Sequence, residues 1–144
     1  MNLRIQLDTT NINWDLVVDI LQTVGMGYHT AEIHQRAFNN SQTVVFVFDG
    51  ENLIGFGRAL SDGEYQAAIY DVAVLPSYQG KGIGKKIVRT IVESTPTCNF
   101  ILYASPGKEM FYENFILSLV KEAKRINIDK NDIIKMIERG FEND

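Results

Sequence analysis

Around Pro76 the chain switches its hydrophobic period, and this switch narrows the available folds more than any other feature. Tyr65 to Leu75 reads as a strand, and Pro76 closes it, because proline fixes φ and brings no amide hydrogen to a ladder. A loop of Ser77, Tyr78, Gln79 and glycines follows. From there to about Ser94, Ile83, Ile87, Val88, Ile91 and Val92 share one helical face, with Lys85, Lys86, Arg89 and Glu93 off it. Asn99 to Tyr103 reads as a strand again. Strand, helix and strand in that order imply a right-handed crossover and a parallel pair.

The residues before Tyr65 follow another pattern. Leu3, Ile5 and Leu7 alternate with polar residues, as in a half-buried strand. Asn13 can cap a helix beginning at Trp14, with Leu16, Val17, Ile20, Leu21 and Val24 on its apolar face and Gly25 and Gly27 ending it. A second short helix spans about Thr30 to Phe38, with Ile33, Ala37 and Phe38 inward. Thr43 to Phe48, the turn signal Asp49-Gly50, and Leu53 to Leu60 read as a hairpin. Ser61-Asp62-Gly63 turns the chain into the next strand, giving an antiparallel meander of three. The expected class is mixed α/β: a twisted, mostly antiparallel sheet with one parallel pair and helices on both faces.

The loop Gln79-Gly80-Lys81-Gly82-Ile83-Gly84 carries the chemistry. Glycines let backbone amides converge on a ligand, and a helix N-terminus adds unpaired N–H groups and partial positive charge. With Lys81, Lys85 and Lys86 nearby, the stretch has the makings of a phosphate cradle. Two nucleotide motifs fail here. The G-x-x-x-x-G-K-[ST] loop would need glycine at Gln79 and a hydroxyl at Lys86, and G-x-G-x-x-G from Gly80 would need glycine at Lys85. Glycines serving only a tight turn remain the plain alternative.

From Val72-Ala73-Val74-Leu75-Pro76 through Gly84 the sequence resembles the acetyl-CoA-binding motif of the GNAT N-acetyltransferases, with Gln79, Gly82 and Gly84 at matching positions. The resemblance runs over about residues 1–115. It implies that the motif strand splays from its parallel neighbour and that the pantetheine arm lies along Val72, Ala73 and Val74. It implies too that the pyrophosphate rests on the amides of residues 80–85, contributed by Gly80, Lys81, Gly82, Ile83, Gly84 and Lys85. A backbone N–H on the motif strand would then polarise the thioester carbonyl. Phe111-Tyr112-Glu113 matches the first half of a family segment whose tyrosine protonates the departing thiolate, so Tyr112 is the candidate acid. Its alternative is an aromatic packing role beside Phe111. Asp71 stands where relatives often carry a carboxylate and is the candidate base; a partner for Arg58, or a solvated charge, is its alternative, and water is a rival base.

The acceptor expected from the resemblance is an amine on a small molecule or peptide. Tyr28, His29, Arg58, Ser61, Asp62, Tyr65 and Tyr103 are the residues offered for its side of the site. The net charge of −4 mildly favours a cationic acceptor and argues against general nucleic-acid binding. No metal is expected: His29 and His34, five apart, would lie on different helix faces. The lone Cys98 reads as a buried small side chain and fits a reducing cytoplasm. No apolar run is long enough for a membrane span, and Met1 to Leu7 is unlike a signal peptide.

After Phe115 the family pattern of Gly-Phe and closing strands gives way. Residues 1–115 hold 8 basic and 12 acidic residues, whereas 116–144 hold 6 of each. Ile116, Leu119, Val120 and Ala123 form one helical stripe, and Ile133, Ile134, Ile137 and Phe141 a second. The expectation is a catalytic domain over 1–115 and a helical extension over 116–144, packed on it or on a second copy in a homodimer. The altered terminus leaves a second class open: an acyl-CoA-binding regulatory or interaction module with lost or weak turnover.

Overall fold

The structure, a computed structural model, describes residues 1–102, 110–114, 116 and 117. Its sheet has the order β1 (Leu3–Gln6), β2 (Thr43–Asp49), β3 (Asn52–Ser61), β4 (Gln66–Val74), β5 (Asn99–Leu102). The first four strands form an antiparallel meander, and β4 runs parallel to β5. The crossover between them is α3 (Ile83–Ser94), as the change of period at Pro76 predicts.

Two cores flank the sheet. On one face, Ile83, Ile87, Val88 and Ile91 of α3 pack with Val45, Val47, Ile54, Ala59 and Ile69. On the other, Val17, Ile20 and Leu21 of α1 (Trp14–Thr23) and Phe38 of α2 (Ala31–Asn39) pack with Val44, Phe46 and Phe56. β2 therefore alternates its side chains between two buried faces, which is why it reads as an unbroken apolar run. Phe38 and Phe46 stand 5.4 Å apart between centroids, and Phe38 meets Phe56 edge-on at 5.8 Å.

The caps follow their chemistry. The Asn13 side chain accepts the amides of Asp15 and Leu16, and Thr30 accepts that of Ile33. After α1, Gly25 takes the left-handed conformation at φ 76 and Gly27 does not.

Several local expectations shift. Leu7 falls outside β1 and is exposed, and Leu16 and Ile33 are 41% and 39% exposed. On α2 the inward positions are His34 and Phe38, one residue round the helix from the expected Ile33. The first hairpin pairs Asp49 with Asn52, so its two-residue turn is Gly50-Glu51.

Residues 110–114, 116 and 117 are helical, with Phe111, Tyr112 and Ile116 half-buried and Met110 and Leu117 exposed. Tyr103 and the expected extension beyond Leu117 lie outside the described residues. Among the described residues no helix is long and apolar enough to cross a membrane.

Candidate functional site

β4 is the strand around which the site is built. From Ala67 to Ile69 it pairs with β3 on one side and with Phe100 to Leu102 of β5 on the other, and Gln66 pairs with Asn99 of β5. From Tyr70 onward, among the described residues, it pairs with β3 alone. Within that released half lies a bulge. Phe56 pairs with Ala73 and Arg58 with Tyr70, so Gly57 faces both Asp71 and Val72. Asp71 is left-handed there, at φ 56.

A bulge reverses the side-chain phase of a strand. Before it, Ala67 and Ile69 point to the α3 core; after it, Val72 and Val74 do, and Ala73 joins the opposite core. Gly57 makes this arrangement possible, since a Cβ there would stand 2.7 Å from Ile87 Cγ2 and 3.3 Å from Val72 Cγ2.

A single 3-10 turn at Pro76–Tyr78 leads into the glycine loop. The Gln79 amide group donates from Nε2 to the Val74 carbonyl at 2.9 Å, closing the loop onto the end of β4. Gly80 and Gly82 are both left-handed, at φ 75 and 81, and a Cβ on either would meet nothing within 4 Å. Their missing side chains therefore open space above the backbone instead of relieving a contact.

Gly82 caps α3 without a side-chain hydrogen bond. Among the described residues no protein acceptor takes the amides of residues 80–85; the first bond into the helix is Lys86 N–H to the Gly82 carbonyl at 3.0 Å. Gly84 serves packing instead. A Cβ there would stand 2.9 Å from Phe111 Cζ, so the glycine lets that ring lie directly on the first turn of α3.

These parts surround one cleft of about 800 Å³. Of the residues proposed from sequence, Asp71, Val72, Val74, Gln79, Gly80, Gly82, Ile83, Gly84, Lys85 and Tyr112 border it. Ala73 and Lys81 do not: Ala73 is buried in the α1/α2 core by the change of phase, and Lys81 reaches over the Tyr78 ring at 5.4 Å. Tyr78 in turn donates to Asp49 Oδ2 at 2.8 Å, a bond that raises its phenol above the ordinary value.

Burial raises the Tyr112 phenol above its ordinary value of 10.0, so it carries its proton at neutral pH. Asp71 Oδ2 accepts from Arg58 Nε at 2.7 Å, and no donor among the described residues reaches its other oxygen. His34, 3% exposed, uses Nε2 to accept the His29 amide at 2.8 Å. Burial lowers its pKa, with the Asp71 charge acting the other way. His29 precedes the α2 cap, so the two histidines do not share a helix as expected, and their rings lie 5.7 Å apart. Among the described residues no three His, Cys, Asp or Glu gather as a metal site requires.

The residues offered for the acceptor lie away from the cleft, as far as they are described. None of Tyr28, His29, Arg58, Ser61, Asp62 and Tyr65 borders the cleft. Ser61 and Asp62 instead hold the β3–β4 turn, Asp62 Oδ1 accepting the amides of Glu64, Tyr65 and Gln66. Val24, Gly25, Met26, Ile69 and Tyr70, none of them singled out from sequence for this role, also line the cleft. Gly25 after α1 was the available signal; Tyr70 had none, because nothing in a strand pattern announces a bulge.

Comparison with known proteins agrees with this geometry. The sequence model of the "Acetyltransferase (GNAT) family" matches residues 11–112. An uncharacterized N-acetyltransferase ycf52-like protein of Prochlorococcus marinus is 34% identical over 102 residues, 66% of this chain and 57% of the relative. Rice serotonin N-acetyltransferase 2, chloroplastic, is 28% identical over 116 residues, 75% of this chain and 58% of the relative. The chain thus spans little more than half the length of these two relatives. A probable acetyltransferase from meticillin-resistant Staphylococcus aureus superposes with a TM-score of 0.69 at 26% identity, covering 78% of this chain and 87% of that one.

Proposed function

The chain belongs to the GNAT acetyltransferase family, and from that premise we propose that it transfers the acetyl group of acetyl-CoA to an amine by direct attack. One observation carries the reading: a single cleft joins the glycine-loop amides, which have no acceptor among the described residues, the released edge of β4 and Tyr112. The pyrophosphate rests on the amides of residues 80–85, where the helix dipole and Lys85 favour an anion. The pantetheine arm follows the edge at Val72 and Val74. A backbone N–H of that edge polarises the thioester carbonyl.

The acceptor enters beside Met26 and Tyr70. An ammonium must lose a proton before it attacks; the Asp71 oxygen that no donor among the described residues reaches takes it and passes it to water. The neutral nitrogen bonds to the carbonyl carbon, and the C–S bond breaks. Tyr112 protonates the thiolate, and the proton shed by the new amide nitrogen restores the phenol through water. The products are an N-acetyl amide and coenzyme A. The apolar flank around one carboxylate suits a cationic amine of a small molecule or peptide.

The test is release of free thiol from acetyl-CoA across a panel of amines. The panel includes serotonin, for which the rice relative is named, and lysine-containing peptides. Thiol release that depends on an amine supports the reading. Tight acetyl-CoA binding in calorimetry with no turnover for any amine would identify a binding module instead.

A further inference from the structure

The left-handed conformation of Asp71 needs a cause. Aspartate visits positive φ more readily than most residues, but chiefly when its side chain finds a local partner. Here the partner comes from the neighbouring strand: Arg58 Nε donates to Asp71 Oδ2 at 2.7 Å. The side chains are 15% and 21% exposed, and theirs is the only ion pair among the described residues.

Arg58 is itself fixed from several directions. Its Nη1 donates to Ser41 Oγ at 3.3 Å, and Ser41 donates to the Ala37 carbonyl at 2.8 Å. Its guanidinium lies 5.6 Å from the Phe38 ring centroid and 5.5 Å from that of Tyr70. Tyr70 and Asp71 are consecutive, yet both reach Arg58; two adjacent side chains on one side of a sheet are the mark of the bulge. The arginine thus ties the bulge to the end of α2.

Arg58 does not border the cleft, but the bulge that it holds decides what does. Without the extra residue, Val72 and Val74 would exchange faces with Ala73. We propose that Arg58 is a positioning residue that clamps Asp71 in its left-handed conformation and so sets the β4 edge along which the acyl donor lies. This rests on the acetyl-CoA reading. Gly57 and its contact with α3 are the competing cause: packing there could hold the bulge without help.

Calorimetric acetyl-CoA affinity on a small set of variants separates these. Arg58→Met should weaken binding by about tenfold or more, the scale expected for losing one strained backbone position. Adding Asp71→Gly to it should restore most of the affinity, because glycine takes positive φ unaided. Adding Asp71→Ala should not, although it removes the same orphaned carboxylate. Should Arg58→Met fail to fold, the single variants decide: with Arg58 present, Asp71→Gly should keep donor affinity and Asp71→Ala should lose it. Unchanged affinity in Arg58→Met, or equal affinity with alanine and glycine at position 71, overturns the clamp. A parent protein that does not bind acetyl-CoA overturns the proposed function instead. Turnover lost in Asp71→Gly at intact affinity belongs to the base role of Asp71 and leaves the clamp standing.

Discussion

The first four residues of β4 and its last five share one strand but serve under different constraints. Ala67 to Ile69 are paired on both sides and the stretch alternates regularly, sending Ala67 and Ile69 into the α3 core. Tyr70 to Val74 keep only the β3 partner among the described residues, change phase at Asp71 and turn one edge towards the cleft. The groove therefore arises where the sheet stops being a sheet. The first half is held by ladders on both sides, whereas the second offers the cleft an edge with no strand partner among the described residues.

The strongest way to break this division is to attack the first half alone. Phe100 on β5 is buried opposite Ala67. Phe100→Ala should cost about 3–5 kcal/mol of stability in urea unfolding, while the molecules that remain folded bind donor as before. A comparable loss of affinity per folded molecule would show that the two halves are not separable.

The next variant leaves the sheet untouched. Tyr112→Phe should lower kcat by about 10²-fold, with donor affinity and unfolding midpoint close to the parent's. If kcat holds, water supplies the thiolate proton; if only KM rises, the ring serves packing or acceptor binding.

Gly82→Val sharpens the comparison at the loop. A branched side chain would occupy the open space above the amides and be strained at φ 81. Donor affinity should fall by several-fold or more, about 1 kcal/mol, with the fold retained, as calorimetry and circular dichroism together would show. Unchanged affinity would remove the phosphates from this loop.

The smallest effect concerns His34, behind the bulge. Its pKa in the fold is depressed below the ordinary 6.5, so the unfolded chain binds its proton first as pH falls. The stability that neutral His34 contributes is thus present above 6.5 and lost on acidification below it. His34→Gln, whose side-chain oxygen can still accept the His29 amide, should flatten the dependence of Tm on pH below about 6.5. A slope identical to the parent's would assign that dependence to other groups.

Much of the frame was legible because periodicity is a strong signal over long elements. Ile83 to Val92 announce α3, and the glycine loop between strand and helix announces the left-handed entry to that helix at Gly82. Short elements were read less well: on the nine-residue α2 a one-position error in phase is enough to exchange Ile33 for His34. The bulge left no trace in the pattern, since Val72 and Val74 look like regular alternation whether or not a residue has been inserted before them. Gly55 and Gly57, two apart in a strand, were the clue that something approaches closely. They mark where the Ala73 carbonyl and Ile87 come against β3.

The contact of Gly84 with Phe111 has a consequence for measurement at the scale of the ligand. The ring rests on the first turn of α3 with no room for even a methyl group between them, and Tyr112 is the next residue along the chain. In the reaction proposed above, one end of the groove grips phosphate and the other supplies a proton, so their separation acts as a caliper whose fixed jaw is this contact. A donor's arm has a set reach. Widening the jaw by a single carbon would leave both grips chemically whole and yet matched to no molecule of that length.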